Sequence, residues 1–307
     1  MLKIAFDNDY VYPLEKNHRF PMVKYELIPE QLLREGTCTD ENFFIPKMVS
    51  DNHVLLTHEK SYFSRLCELS LSKKEQRPIG FPMSKELVTR EKKIVGGTIE
   101  CCNFSMSYGV SMNIAGGTHH AFHNRGEAFC MLNDQAVAAN VLINEINNVN
   151  KVLIIDLDVH QGNGTASIFN DKEKVFTLSF HGKNNYPFRK EESDFDLEFE
   201  DNTNDSMYLG NLKKHLPQII QKFEPDFIFY LSGVDVLSND KLGKLGLSLE
   251  GCKERDNYVL RLCKENNIPV QISMGGGYSS NLRDIIDAHA NTFRLAQEIF
   301  FCYNITD

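Results

Sequence analysis

No apolar run in this chain approaches the roughly 20 residues that a membrane-spanning helix requires. No block of lysine and arginine offers a nucleic-acid surface. The opening residues, MLKIAFDNDY, meet Asp7 after a few apolar positions, so a secretory leader is not expected. None of the eight cysteines, at 38, 67, 101, 102, 130, 252, 263 and 302, forms a CxxC pair. That argues against a structural zinc built from thiolates, and the adjacent Cys101 and Cys102 read as core-facing residues. A reducing, cytoplasmic location is the default for such cysteine usage. Repeats, low-complexity tracts and linkers are also lacking, so residues 1–307 read as one domain with a sizeable core. What is present is an ordinary globular balance, 42% hydrophobic and 24% charged, with a formal net charge of -9 that is compatible with a cationic substrate.

The chain is organised around Lys151–Gly164, KVLIIDLDVHQGNG. Val152 to Ile155 is a continuous apolar run, as in a strand buried on both faces of a parallel sheet. Strand alternation then places Asp156, Asp158 and His160 on one face and Leu157 and Val159 on the other. Two carboxylates and an imidazole at the end of a buried strand are costly unless a cation sits among them. A strand running out into a polar loop explains one acidic residue but not three polar groups on one side. Gly162 and Gly164 then let the backbone turn sharply.

Elsewhere Leu2–Phe6, HVLLT (53–57), KVFTLS (174–179), DFIFYL (226–231) and PVQIS (269–273) read as strands. Helices are expected within residues 17–36, split in two by Pro29, and over 62–69, 133–146, 209–223, 251–266 and from Asn281. SKKEQRPIGFPMS reads as a loop. A helical pattern from Ser84 is expected to break at Gly96-Gly97, with 98–114 forming a packed helix. Strands alternating with helices give an α/β fold with a doubly wound, mostly parallel central sheet flanked by helices.

Several of these segments end in a reactive group. Asp158 and His160 end one strand, Asp235 ends another in SGVD, Tyr278 follows Gly275-Gly276-Gly277, and His119-His120 follow Gly116-Gly117. Alone, each has a plain explanation as a helix cap, a core histidine or a turn; together they describe a site. An Asp, His, Asp set leaves positions open for water and substrate, as in a catalytic metal centre. Two oxygens and one nitrogen suit Zn²⁺, with Fe²⁺ or Mn²⁺ also compatible. Such an ion acidifies water and polarises a carbonyl, a tandem histidine can move protons, and a tyrosine can donate to an oxyanion.

IAGGTHHAF, GEAFCMLND, VLIIDLDVHQGNGT, YLSGVDVLSND and MGGGYSS resemble the histone deacetylase superfamily, whose fold is arginase/deacetylase-like. The QGNG turn and the NHRFPMVKY and IGFPMS segments are most similar to its class IV branch and bacterial relatives. The resemblance spans Phe6 to Tyr278. It implies Asp158, His160 and Asp235 as zinc ligands and His120 as the general base that later protonates the leaving amine. His119 is then an electrostatic partner held by Asp156, and Tyr278 the oxyanion donor. It further implies an acyl-lysine channel lined by Ala128, Phe129 and Gly276, with Tyr186 or Phe188 near the rim, and Arg19 in an internal acetate pocket. A structural K⁺ would be held by carbonyls of Asp156, Asp158, His160 and Phe180 and the Ser179 hydroxyl.

Two positions depart from the family. Asn163 stands where many members have an aspartate; if Asn163 is the partner of His120, that imidazole lacks a carboxylate and its pKa is expected below that of His119. Ala128 stands where glycine is usual. The acidic run Glu191–Asp205 reads as a solvated loop, or as a field favouring lysine-rich substrates. The implied activity is zinc-dependent hydrolysis of acyl-lysine in a protein or peptide, or of a small acylated amine such as an acetylpolyamine, with long-chain acyl groups also open. A non-catalytic acyl-lysine-binding scaffold would be expected to have lost a ligand, the tandem histidine or the tyrosine. An arginase-like binuclear centre would need further ligands near Asp235, and the next carboxylate is Asp240.

Overall fold

The alternation of strands and helices is realised in a computed structural model that describes residues 1–302. Strand β1 (Lys3–Ala5) leads to helix α1 (Lys24–Arg34), the two-residue strand β2 (Phe43–Phe44), and helices α2 (Asp51–Val54), α3 (Lys60–Cys67), α4 (Lys73–Ile79) and α5 (Lys85–Tyr108). Strand β3 (Val110–Asn113) and helix α6 (Asp134–Glu145) precede β4 (Val152–Asp156), α7 (Asn163–Phe169), β5 (Val175–Gly182) and β6 (Phe195–Phe199). Then come α8 (Asp205–Phe223), β7 (Phe227–Leu231), α9 (Leu249–Glu265), β8 (Val270–Ser273) and α10 (Leu282–Phe301). All eight strands pair in parallel in the order β2-β1-β3-β8-β7-β4-β5-β6.

β4 lies inside the sheet, between β7 and β5, and is buried at every residue, which is why it reads as an uninterrupted apolar run. Helices pack on the sheet, and the core joins strand residues such as Ile155, Tyr230 and Ile272 to helix residues such as Ile94, Leu260 and Phe293. Because the strands are parallel, their carboxyl ends lie along one edge, where ligands bind in open α/β sheets. The loops after five successive neighbours in the sheet, β3, β8, β7, β4 and β5, all open there.

Several local expectations are corrected. HVLLT is not a strand: Ser50 caps the His53 amide at 3.2 Å, and the segment forms α2 and a following turn. Pro29 does not split α1, because the buried face of Tyr25, Ile28 and Leu32 outweighs the one backbone hydrogen bond that proline removes. The supposed loop after Leu71 contains α4, started by a Ser72/Glu75 capping box and ended by Gly80 at φ +79°. Gly96-Gly97 does not break α5; a Cβ at Gly96 would lie 1.8 Å from the Lys47 carbonyl, so the glycine permits close packing of a neighbouring segment. The helix stops at Gly109, and residues 110–113 are strand β3. Residues 195–199 of the acidic run form edge strand β6 on β5.

Candidate active site

β4 ends at Asp156, so alternation does not itself align Asp158 and His160. Local hydrogen bonds do: Asp156 Oδ1 accepts from the Asp158 amide at 3.1 Å, and Asp158 Oδ1 accepts from the His160 amide at 3.0 Å. The other Asp158 oxygen accepts from the Gly276 amide at 2.8 Å, and Asp235 Oδ1 accepts from the Val159 amide at 3.0 Å. The loops after β4, β7 and β8 are thereby tied to one another. Gly162 has a negative φ of -70°, so its glycine serves closeness rather than a left-handed turn, since a Cβ would lie 2.3 Å from Asp156 Oδ2.

Asp158, His160 and Asp235 are buried and each offers a ligand atom within 4.8 Å of the others. His160 Nδ1 is 3.0 Å from Asp158 Oδ1 and 3.1 Å from Asp235 Oδ2. Asp235 Oδ2, although fully buried, makes no hydrogen bond among the described residues. An orphaned carboxylate oxygen beside an imidazole nitrogen is what an ion site without its ion presents. Burial opposes charge on His160, but the hydrogen bond to Asp158 and the nearby negative charges of Asp158 and Asp235 outweigh it and push its pKa up to about 10. Burial, reinforced by the Asp158 charge, pushes Asp235 up to about 7. A divalent cation fits these groups in place of the shared proton.

His119 and His120 stand with ring centroids 4.0 Å apart. Their loop is pinned by Asp134, at the first turn of α6, which accepts from the Thr118 amide at 2.9 Å and from the Thr98 and Ser273 hydroxyls at 2.8 and 3.0 Å. His119 Nδ1 donates to Asp156 Oδ2 and His120 Nδ1 to Asn163 Oδ1, both at 2.6 Å. The acceptors differ by a full charge, and the imidazoles respond oppositely. Burial opposes charge on His119, but Asp156 and Asp158 raise its pKa. Burial, helped by the charges of His119 and His160, lowers His120 well below the usual imidazole value. His120 is therefore neutral at pH 7, with its Nε2 lone pair free.

Tyr278 borders both the inner cavity and the outer mouth, its amide held by Asp240 Oδ2 at 2.6 Å. Phe129 faces it across the passage, with centroids 6.1 Å apart. Ala128 and Phe129 both have positive φ, +43° and +69°, and their amides donate to Pro78 and Ile79 carbonyls at 2.8 and 2.7 Å. Positive φ at position 128 explains why glycine would be the easier residue there. Tyr186 packs edge-on to His120 at 5.0 Å and donates its hydroxyl to Glu127, whereas Phe188 stands 91% exposed at the mouth. Gly276 lines the inner cavity. Ser179 is the register partner of Asp156, and its hydroxyl lies 3.0 Å from His181 Nδ1, with Phe180 next in β5.

Arg19 is not in an inner pocket. It is exposed at the mouth, its guanidinium 5.3 Å from the Phe129 ring centroid. α1 begins five residues later, and that offset turns Lys24 inward instead. Lys24 is fully buried, donates to the Gly275 carbonyl at 3.0 Å, and lies within 5.4–5.9 Å of the Phe20, Tyr25 and Tyr278 rings. Burial, only partly offset by Asp235 and Asp158, lowers its pKa to about 8. The inner cavity is lined instead by Arg90.

Arg255 was also not singled out from the sequence. It is fully buried on α9, and Nη1 donates to the Leu157 and Gly233 carbonyls at 3.0 and 2.6 Å while Nε donates to Asp256 at 2.8 Å. Asp256 in turn accepts from the Tyr230 and Thr292 hydroxyls at 2.5 and 2.6 Å. Arg255 thus fastens the backbone beside Asp158 to the backbone leading to Asp235. The signal was available: Cys252, Arg255, Asp256 and Val259 share the inward stripe of α9.

A sequence profile of the histone deacetylase domain matches residues 18–293. An uncharacterized protein of Picosynechococcus sp. is 39% identical over 97% of this chain and 99% of its own length. Histone deacetylase 2 of Arabidopsis thaliana is 30% identical over 92% of this chain and 75% of its own. The crystal structure of a histone deacetylase homologue from Aquifex aeolicus superimposes with a TM-score of 0.81 at 25% identity, covering 96% of this chain and 84% of that one.

Proposed function

Because the chain belongs to the histone deacetylase family, we propose that it hydrolyses the side-chain amide of acyl-lysine with a zinc ion held by Asp158, His160 and Asp235. The observation that carries this reading is the unpartnered Asp235 Oδ2 beside His160 Nδ1, with neutral His120 in the same pocket. When bound, the ion would supply Lewis-acid polarisation of the amide carbonyl and acidification of water.

The chain's own groups account for the rest. Phe129 and Tyr278 border a narrow passage that aligns the acyl-lysine stem and excludes bulk water. His120 Nε2 takes a proton from water as its oxygen bonds to the carbonyl carbon. Tyr278 donates its hydroxyl hydrogen bond to the carbonyl oxygen as charge develops there. His120 then returns the proton to the nitrogen as the C–N bond breaks, releasing free lysine and a carboxylate. His119, held by Asp156, is the electrostatic partner beside this pocket, its pKa raised by that carboxylate.

The inner cavity, about 40 Å³, has room for a few waters and favours a small acyl group over a long chain. The early NHRFPMVKY segment and the QGNG turn support placement near the class IV branch. A potassium ion beside Asp156, Asp158, His160, Ser179 and Phe180 is compatible with the β4–β5 register, and no step involves it.

The test is release of acetate from an acetyl-lysine peptide by zinc-loaded protein. Activity is expected to vanish on chelation and in His120→Ala, and to fall about 10²–10³-fold in Tyr278→Phe with zinc content unchanged. Tight peptide binding without turnover at any metal loading would refute the enzyme and support a scaffold.

A further inference from the structure

The mouth of the channel is basic in an acidic protein. The outer hollow is lined by Arg19 and Lys244, and the adjoining one, which shares Arg19, Leu242 and Tyr278 with it, by Lys16 and Lys241. Neither hollow is lined by any aspartate or glutamate. All four cations are exposed, and none forms an ion pair among the described residues, although the whole chain has a net charge of -9.

The nearby carboxylates are committed. Glu127 pairs with Arg125 at 2.6 Å and accepts the Tyr186 hydroxyl. Asp240 is turned inward onto the amides of Leu242, Gly243 and Tyr278. Glu15 precedes Lys16 but lines neither hollow. Within the acidic run Asp194 accepts from the Thr177 amide and hydroxyl, Asp196 from Gln161 and Asp205 from Ser248, Glu200 pairs with Lys183, and Asp201 accepts at 3.2 Å from Asn184, a residue of the outer hollow. No carboxylate of the run lines either hollow, so the charges nearest a bound substrate there are the four cations.

Resting on the amide-hydrolase reading, we infer that the mouth selects acylated amines carrying negative charge beside the acyl-bearing side chain, above all an acyl-lysine flanked by Asp or Glu in a peptide. A cationic small amine such as an acetylated polyamine would place its second charge against four unpaired cations and is disfavoured.

The experiment compares acetyl-lysine peptides identical except for two Glu, two Gln or two Lys flanking the modified residue. Free Nε-acetyl-lysine and its α-amide are run beside them, to separate a peptide's acidic side chains from a single carboxylate. At low salt, kcat/KM is expected to be about tenfold higher for the Glu than for the Lys peptide, with the gap closing as ionic strength rises. Arg19→Glu with Lys244→Glu is expected to reverse the order, whereas Lys214→Glu on α8, outside both hollows, leaves it in place. Turnover of all three peptides at one rate, or preference for the Lys peptide, overturns the inference and leaves the hydrolase intact. Absence of turnover in every case sinks the hydrolase instead. Fluorescence anisotropy of the labelled peptides then still decides the charge preference: tightest binding of the Glu peptide upholds it, and equal Kd values overturn it.

Discussion

Replacing Asn163 by aspartate would give His120 the partner that His119 already has. Both imidazoles donate through Nδ1 over 2.6 Å, one to an amide oxygen and one to a carboxylate, so His119 is an internal standard for the substitution. The His119 pKa is raised while that of His120 is depressed by burial and by neighbouring positive charge. An adjacent carboxylate raises an imidazole pKa by about 1–3 units. His120 acts as a base only when neutral, so activity disappears as pH falls through its pKa. The acidic limb of kcat/KM in Asn163→Asp should therefore move upward by about 1–3 pH units, so that one unit below the new limb the rate is reduced about tenfold. The assay is the variant-to-parent ratio of kcat/KM against pH at saturating zinc, which cancels titrations common to both proteins. Asn163→Ala, which leaves Nδ1 without an acceptor, should lower kcat with no upward movement of the limb. Superimposable parent and Asp-variant profiles, at equal zinc content, would refute the assignment of His120 as the base.

Three further outcomes follow from the geometry. A Cβ at Gly276 would lie 2.0 Å from Asp235 Oδ2 and 2.8 Å from Asp158 Oδ2, so Gly276→Ala should weaken zinc binding about 10–100-fold, read by competition with a chromophoric chelator; unchanged affinity would show that the carboxylates are not the ligands. Arg255→Met leaves Asp256 buried without its cation and should cost about 3–5 kcal/mol in urea unfolding, partly restored by adding Asp256→Asn; a loss below about 1 kcal/mol would contradict the tie it makes between the ligand loops. At pH 7 zinc must displace the proton on His160, whose pKa is about 10, and part of that on Asp235, near 7. Calorimetry in buffers of differing ionisation enthalpy should show about one proton or more released per ion, declining above pH 10, with affinity falling as pH falls; zero release at pH 7 would count against His160 as a ligand.

How much was legible depended on the physics behind each feature. Buried parallel strands announce themselves as apolar runs, so β4, β7 and β8 and the groups at their ends could be read directly. Composition misled where a cap decided the outcome: the polar, proline-bearing stretch around Lys73 is a helix because Ser72 and Glu75 satisfy its first amides. Gly96 misled because its role is packing against Lys47, a contact between distant segments that no local pattern encodes. Arg19 reads as an inner residue in the sequence, but it sits in the bend before α1 and is exposed, whereas Lys24, the first residue of α1, is buried. Lys24 and Arg255 are charged residues on the inward stripes of α1 and α9, a pattern that the sequence itself carries.

Asp158 and Asp235 come from segments far apart in sequence, yet each is held by an amide from another loop. An ion gripping both would work as a clasp on the loops after β4 and β7, with the β8 loop joined through the Gly276 amide, and the unfolded chain has no equivalent place to hold it. The melting temperature should consequently act as a gauge of occupancy, climbing with zinc concentration even for a catalytically dead His120→Ala protein. A thermal scan across divalent ions would then rank the metals this centre prefers without any substrate in the tube.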